Sequence, residues 1–251
     1  MKTQEIVQKY ISFFVDKEHV EISNVSLIPE GDSTLLFVNS GMFPLVPYLL
    51  GEKHPSGTKL VNVQRAVRFE DLNDIGDRRH TLGFHMIGNW SLGDYFKKEQ
   101  LNWIYTFLVE ELKIDPNRLY ATVFEGDKTT PRDDESIKII RDIFNRFGID
   151  AKVDERIYLY GKGSNWWQRG DAIGELGGPD SEIFYYFGEG TPTTTPEDDE
   201  ENFLEIGNSV FLQYRKTDSG WKELSQKNVD FGGGLKRLDL VLQNKKDIFE
   251  T

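Results

Sequence analysis

The chain has 251 residues, of which 38% are hydrophobic, with five tryptophans and a net charge of −12. That is enough apolar mass to build a core, so disorder is excluded, and the acidic balance excludes a protein that coats nucleic acid by charge alone. The absence of cysteine excludes disulfides, thiolate zinc sites and cysteine nucleophiles, and fits a reducing, cytoplasmic setting.

Residues 1–19 predict an amphipathic helix with Ile6, Tyr10, Phe13 and Phe14 on one face, and Asp16, Lys17 and Glu18 leave no apolar signal core there. No apolar run approaches the length of a membrane span, so no membrane partner is expected. TLLFV (34–38), LVNVQRAV (60–67) and TLGFHMIGNW (81–90) read as strands, followed by a helix near 97–112. LYATVFEG reads as a strand, 133–147 as a helix closed by Gly148, and EIFYYFG as another strand. GEGTPTTTPEDDEEN (188–202) is a polar, proline-interrupted loop. FLEIGNSVFLQYR and NVDF then read as strands, with a last helix from Gly234. The order lacks a regular βαβα alternation, so the expected class is α+β, an antiparallel sheet flanked by helices.

Two stretches invite a chemical reading. VQRAVRFEDLNDIGDRRH gathers Arg65, Arg68, Arg78 and Arg79 in an otherwise acidic chain. NVDFGGGLKRLDLVL (228–242) sets three consecutive glycines before a helix. These match neither a Walker phosphate loop, with four residues between its glycines, nor the spaced dinucleotide fingerprint. An ATP site on such a sheet needs an arginine for the α-phosphate, an aromatic for adenine and a carboxylate for any ammonium substrate. Arg68, Phe84, Asp230 and Arg237 are the candidates. Spacing alone favours a core aromatic, surface arginines and a solvated Asp over those roles.

SLIPEGDSTLLFVNSGM, then QRAVR, LNDIG and RRHTLGFHMIGNWSLGDYFK, then NWWQRGD, GPDSEIFY, PEDDEENFLEIGNSVFLQY and VDFGGGLKR resemble, in that order, the catalytic core of the alanyl-tRNA synthetases, a class II aminoacyl-tRNA synthetase family. Motif 1 falls at about 24–42, motif 2 at about 61–90 and motif 3 at about 228–242, so residues 1–251 are expected to form one catalytic domain. The family's tRNA-recognition, editing and C-terminal domains are expected to be absent from it. The resemblance implies that alanine is activated with ATP and magnesium to alanyl-adenylate and passed to the acceptor end of tRNA(Ala). It places Arg68 on the α-phosphate, Phe84 on adenine and Arg237 on the distal phosphates. Asp71 and Met86 fall on further ATP positions, and Glu182 is a candidate magnesium ligand; no zinc site is implied. Trp167, Val210 and Gly232 would wall a methyl-sized pocket, with Asn208 and Asp230 orienting alanine and Asp230 taking its ammonium.

The sequence departs from the family pattern at His85 for Glu, Gly83 for Phe, Gly207 for Trp, Phe231 for Thr and Lys236 for Glu, and GELGGPD replaces C-G-P-C. His80 and His85, five apart on an expected strand, would face opposite sides and form no metal pair. Two other readings therefore stand beside the first. One is a stand-alone relative that serves another acceptor or another small amino acid. The other is a non-catalytic binding or regulatory module on the same fold.

Overall fold

A computed structural model describes residues 1–29 and 36–251. The periodic apolar spacing of the N-terminus becomes α1 (Thr3–Val15), with Ile6, Tyr10, Phe13 and Phe14 buried. The Glu5 carboxylate reaches back to accept from the Lys2 N–H at 2.6 Å, satisfying a donor that the first turn leaves open. After it come β1 (Val20–Glu21), a short α2 (Val46–Leu49), β2 (Lys59–Val67) and β3 (Gly83–Leu92). Next are α3 (Lys97–Thr106), β4 (Leu119–Phe124), α4 (Asp134–Arg146), β5 (Ile157–Tyr160) and β6 (Trp166–Gln168). β7 (Leu176–Tyr186), β8 (Phe203–Thr217), β9 (Gly220–Gly234) and α5 (Leu235–Gln243) complete the order.

The chain packs as two units, Met1–Trp90 with Phe231–Thr251, and Ser91–Asp230. In the first, β1, β2, β3 and the end of β9 lie side by side, β1 being parallel to β2. The Tyr10 ring lies 6.5 Å from that of Phe231, and its hydroxyl donates to Asn89 Oδ1 at 2.8 Å. Trp90 is 1% exposed, and its ring occupies space that a Cβ at Gly88 would enter at 2.5 Å. Gly88, Asn89 and Trp90 are therefore one packing device: the glycine makes room for the ring, and the amide anchors α1.

In the second unit the order is β9, β8, β7, β4, β5, with β6 on the side of β7. The β7–β8, β4–β7 and β6–β7 pairs are antiparallel, as expected for this class. The β4–β5 pair is parallel, and α4 is the crossover that such a pair requires. Tyr120, Tyr158, Tyr186 and Phe203 form an aromatic cluster of its core. Lys97 on α3 is 4% exposed and donates at 2.6 Å to Asp133, whose carboxylate also caps α4 by accepting from Ser136 N.

Some sequence expectations change. Residues 34 and 35 of the expected strand 34–38 lie outside the described residues, and 36–38 form no strand. Val38 is instead held singly, its N–H donating to Leu27 O and its carbonyl accepting from Val67 N. The helix expected to 112 leaves α geometry after Thr106 and ends in a π-helical turn over Phe107–Glu111. His80 precedes β3 and lies in a loop, so strand alternation does not set its direction.

Candidate active site

In the first unit, Arg68 follows β2 and is anchored twice. Its N–H donates to Leu82 O at 2.9 Å, and its Nε donates to Asn39 O at 3.0 Å. The guanidinium carbon then stands 5.2 Å from the centre of the Phe84 ring. The Asn39 bond uses Nε, so the planar Nη fork that suits phosphate oxygens is not consumed by it. Alternation along β3 puts Phe84 and Met86 on one face, half-buried, and His85 on the other, exposed. Asp71 is half-buried in the short 3-10 turn Glu70–Asp74 beyond Arg68.

Gly232 approaches Met86 so closely that a Cβ there would stand 3.1 Å from Sδ. Gly234 begins α5, and its own missing Cβ would meet Arg237 Cδ at 3.3 Å. Gly232 and Gly234 thus serve close packing at the strand end, and Gly234 carries the chain into the helix that bears Arg237. Arg237 Nη2 lies 3.4 Å from His80 Nε2. His80 is itself tied to Asp77, Nδ1 to Oδ2 at 2.5 Å. Burial opposes ionisation of Asp77, but hydrogen bonds from the Arg79 N–H and from His80 outweigh it and hold its pKa below the usual value.

In the second unit, β7 and β8 set Asp180 opposite Val210 and Glu182 opposite Asn208. These four side chains share one face of the sheet. Two irregularities in β8 flank this stretch. β7 advances three residues from Gly177 to Asp180 while β8 advances four, from Tyr214 to Val210. β7 then advances one, from Ile183 to Phe184, while β8 advances two, from Gly207 to Glu205. Such bulges turn side chains out of the regular pleat and recur beside active sites. Val210 is 4% exposed, and Asn208 Oδ1 is buried without a protein partner among the described residues. Trp167 pairs with Gly178, so the alternation of β7 puts it on the same face as Asp180, while Trp166 packs with Phe124 and Trp221. Asp230 is half-buried at the end of this unit.

The nucleotide candidates Arg68, Phe84, Met86 and Arg237 therefore belong to the first unit, and Trp167, Glu182, Asn208, Val210 and Asp230 to the second. Gly232, expected beside Trp167 and Val210, packs on Met86 in the first. Among the described residues no group of three or more His, Asp or Glu side chains is gathered as a metal centre.

The sequence reading missed Asp180. It is 3% exposed, and its Oδ1 accepts from Asn165 Nδ2 at 3.1 Å. Burial pushes its pKa up to about 7, against hydrogen bonds from Asn165 and Asn208, while the charge of Glu205 adds to the rise. Asn165 Nδ2 also donates to Thr122 Oγ1 at 2.8 Å, and Thr122 Oγ1 donates to Glu182 Oε2 at 3.3 Å. One polar chain thus connects Thr122 on β4, Asn165 before β6, and Asp180 and Glu182 on β7. A Gly-Gly-Pro-Asp string looks like a turn, which is why this carboxylate gave no signal.

A family model described as tRNA synthetases class II (A) matches residues 5–251. The alanine–tRNA ligase of Treponema denticola is 46% identical over 254 residues, covering 98% of this chain and 41% of that protein. The alanine–tRNA ligase of Thermus thermophilus is 41% identical over 268 residues, covering 100% of this chain and 29% of that protein. The chain therefore spans less than half the length of these relatives. Among solved structures, apo S. aureus histidyl-tRNA synthetase aligns with 96% of this chain and 65% of its own, at a TM-score of 0.53 and 11% identity. That likeness concerns the fold.

Proposed function

This chain belongs to the class II (A) family of tRNA synthetases, and from that premise we propose that it activates alanine with ATP and passes the alanyl group to tRNA(Ala). One observation carries the amino-acid assignment. On the bulge-flanked stretch of β8, a buried amide oxygen without a partner among the described residues (Asn208) stands two residues from a buried, short apolar side chain (Val210). An acceptor for an ammonium beside a small apolar wall is what alanine requires, and Trp167 on the same face limits larger side chains. Asp230 is the counter-charge for the ammonium in this reading.

The chemistry needs no protein nucleophile, because the alanine carboxylate is already an anion at neutral pH. One of its oxygens attacks the α-phosphorus in line, forming the mixed anhydride as the bond to pyrophosphate breaks. Arg68 meets the α-phosphate through its Nη fork and Arg237 the distal phosphates, while Phe84 stacks on adenine, Met86 packs beside it and Asp71 lies at its edge. The protein's contribution is position and charge neutralisation. Magnesium, when it accompanies ATP, neutralises phosphate charge, and Glu182, oriented by Thr122, is its candidate ligand. In the second step the terminal ribose hydroxyl of the tRNA attacks the carbonyl carbon and AMP leaves. We place this activity in the cytoplasm; among the described residues no helix is long and apolar enough to cross a membrane.

Amino-acid-dependent ATP–pyrophosphate exchange, run with each of the twenty amino acids and followed by charging of tRNA(Ala), tests the reading. Alanine should give the largest kcat/KM. Exchange no faster with alanine than with no amino acid would sink it. Gly207, at the second bulge where the family pattern has tryptophan, supports a second reading in which another small amino acid is preferred. The same twenty-way comparison separates the two.

A further inference from the structure

A neutral imidazole donates through one ring nitrogen and accepts through the other, and its neighbours decide which is which. Beside His80 Nδ1 stands Asp77 Oδ2 at 2.5 Å, and a carboxylate ionised at neutral pH has no proton to give. The proton therefore sits on Nδ1, and Nε2 is left as an acceptor. Nε2 faces a donor on α5, Arg237 Nη2, at 3.4 Å. A charged ring would set a second cation's N–H against that guanidinium, so the neutral form is the one that fits both contacts. The segment carrying the pair is itself fixed. Asp77 Oδ1 accepts from the N–H groups of Arg79 at 2.8 Å and His80 at 2.9 Å. Arg78 O accepts at 2.8 Å from the N–H of Ile248, in the short turn that follows α5. All of these residues belong to the first unit.

We infer that His80, with its tautomer set by Asp77, is a positioning residue for Arg237: the Nε2 lone pair holds one guanidinium N–H and so sets the plane in which Arg237 meets the distal phosphates of ATP. The inference rests on the function proposed above, because it needs phosphates for Arg237 to meet. Neither His80 nor Asp77 touches the nucleotide in this scheme. They act through Arg237. Asp77→Asn would reverse the arrangement while keeping its shape. The two backbone N–H groups hold the new amide oxygen at the Oδ1 position, so the NH2 takes the place of Oδ2 and donates to His80 Nδ1. The ring proton then moves to Nε2 and points at Arg237, where an acceptor stood.

Titration calorimetry with ATP and magnesium, and with AMP, which lacks the distal phosphates, tests this. The wild-type protein should bind ATP more tightly, and Arg237→Ala should abolish that preference. Asp77→Asn should cut it by about fivefold or more, the scale of one hydrogen bond to a charged group, with AMP affinity within about twofold of wild type. His80→Gln offers Arg237 an amide oxygen that accepts whatever stands at position 77, and should keep the preference. In that background Asp77→Asn should add no further loss, which a merely structural Asp77 would not show. If Asp77→Asn does not fold, His80→Phe removes both ring nitrogens at similar bulk, takes its place and should lose the preference equally. Equal loss of both nucleotides, an undiminished preference in Asp77→Asn or His80→Phe, or a full further loss in the His80→Gln background would each overturn the inference. The proposed function stands through any of these results, provided that Arg237→Ala abolishes the preference and alanine drives exchange. A preference that survives Arg237→Ala overturns both the inference and the role given to Arg237.

Discussion

At Gly232 one methyl group separates two roles. Motif position puts this glycine in the alanine pocket, but its missing Cβ points at the Met86 thioether, 3.1 Å away. Met86 lies on the face of β3 that also carries Phe84. A thioether is flexible enough to give by a few tenths of an ångström, so Gly232→Ala should fold with little change in melting temperature. The displaced Met86 should instead disturb nucleotide binding. The expected outcome in pyrophosphate exchange is a KM for ATP raised by several-fold, with the KM for alanine within about twofold of wild type. The reverse pattern would return Gly232 to the alanine pocket. Arg68 makes the same point in another way. Motif position singles it out as a candidate, but its anchoring by Asn39 O was not legible, because a backbone carbonyl from a distant loop leaves no mark in a sequence.

Elements were legible where periodicity ran long enough. The buried face of α1, the alternation of β2 and the end of α4 at Gly148, which adopts φ +76°, follow from apolar spacing and glycine placement. β5 and β6 have four and three residues, too few for a period of two to show. The start of β7 is hidden by its own requirement: a Cβ on Gly178 would fall 1.9 Å from Phe211 O, so close strand approach demands glycine, which reads as a turn. The stretch most diagnostic of the family, GNWSLGDYFK, proves to shape the fold. Ser91 Oγ accepts from the N–H groups of Asp94 and Tyr95 and donates to Tyr95 O, closing the turn at Gly93, and Lys97 then ties α3 to the cap of α4. That tie sets a stability prediction. Lys97→Met strands a carboxylate that is 4% exposed and should cost about 3–5 kcal/mol. Arg132→Ala breaks a pair whose side chains are 53% and 68% exposed, and should cost less than about 1 kcal/mol. Urea unfolding of both variants, with equal losses, would show that Lys97 is not the anchor proposed.

Over the whole molecule, charge opposes the second step of the proposed reaction. A chain of net charge −12 repels a tRNA at long range, so any attraction must come from a local patch. The patch available in the sequence is the segment bearing Arg65, Arg78 and Arg79, of which Arg65 and Arg78 are exposed and Arg79 half-buried in the structure. If these three each neutralise a phosphate, the logarithm of the tRNA affinity should fall with the logarithm of salt at a slope of roughly −2 to −3. Raising KCl from about 50 to 200 mM would then weaken tRNA association by about 15- to 65-fold. Alanine and ATP are small, and in the proposed reaction ATP meets its arginines at short range, so pyrophosphate exchange should change by no more than about twofold over the same range. Charging and exchange measured in parallel across that series decide the matter. A steep loss in charging with flat exchange places the salt-sensitive contacts on the tRNA alone. Parallel loss of both would mean that the arginines of this segment serve the nucleotide, and that tRNA is held by surfaces of another charge character.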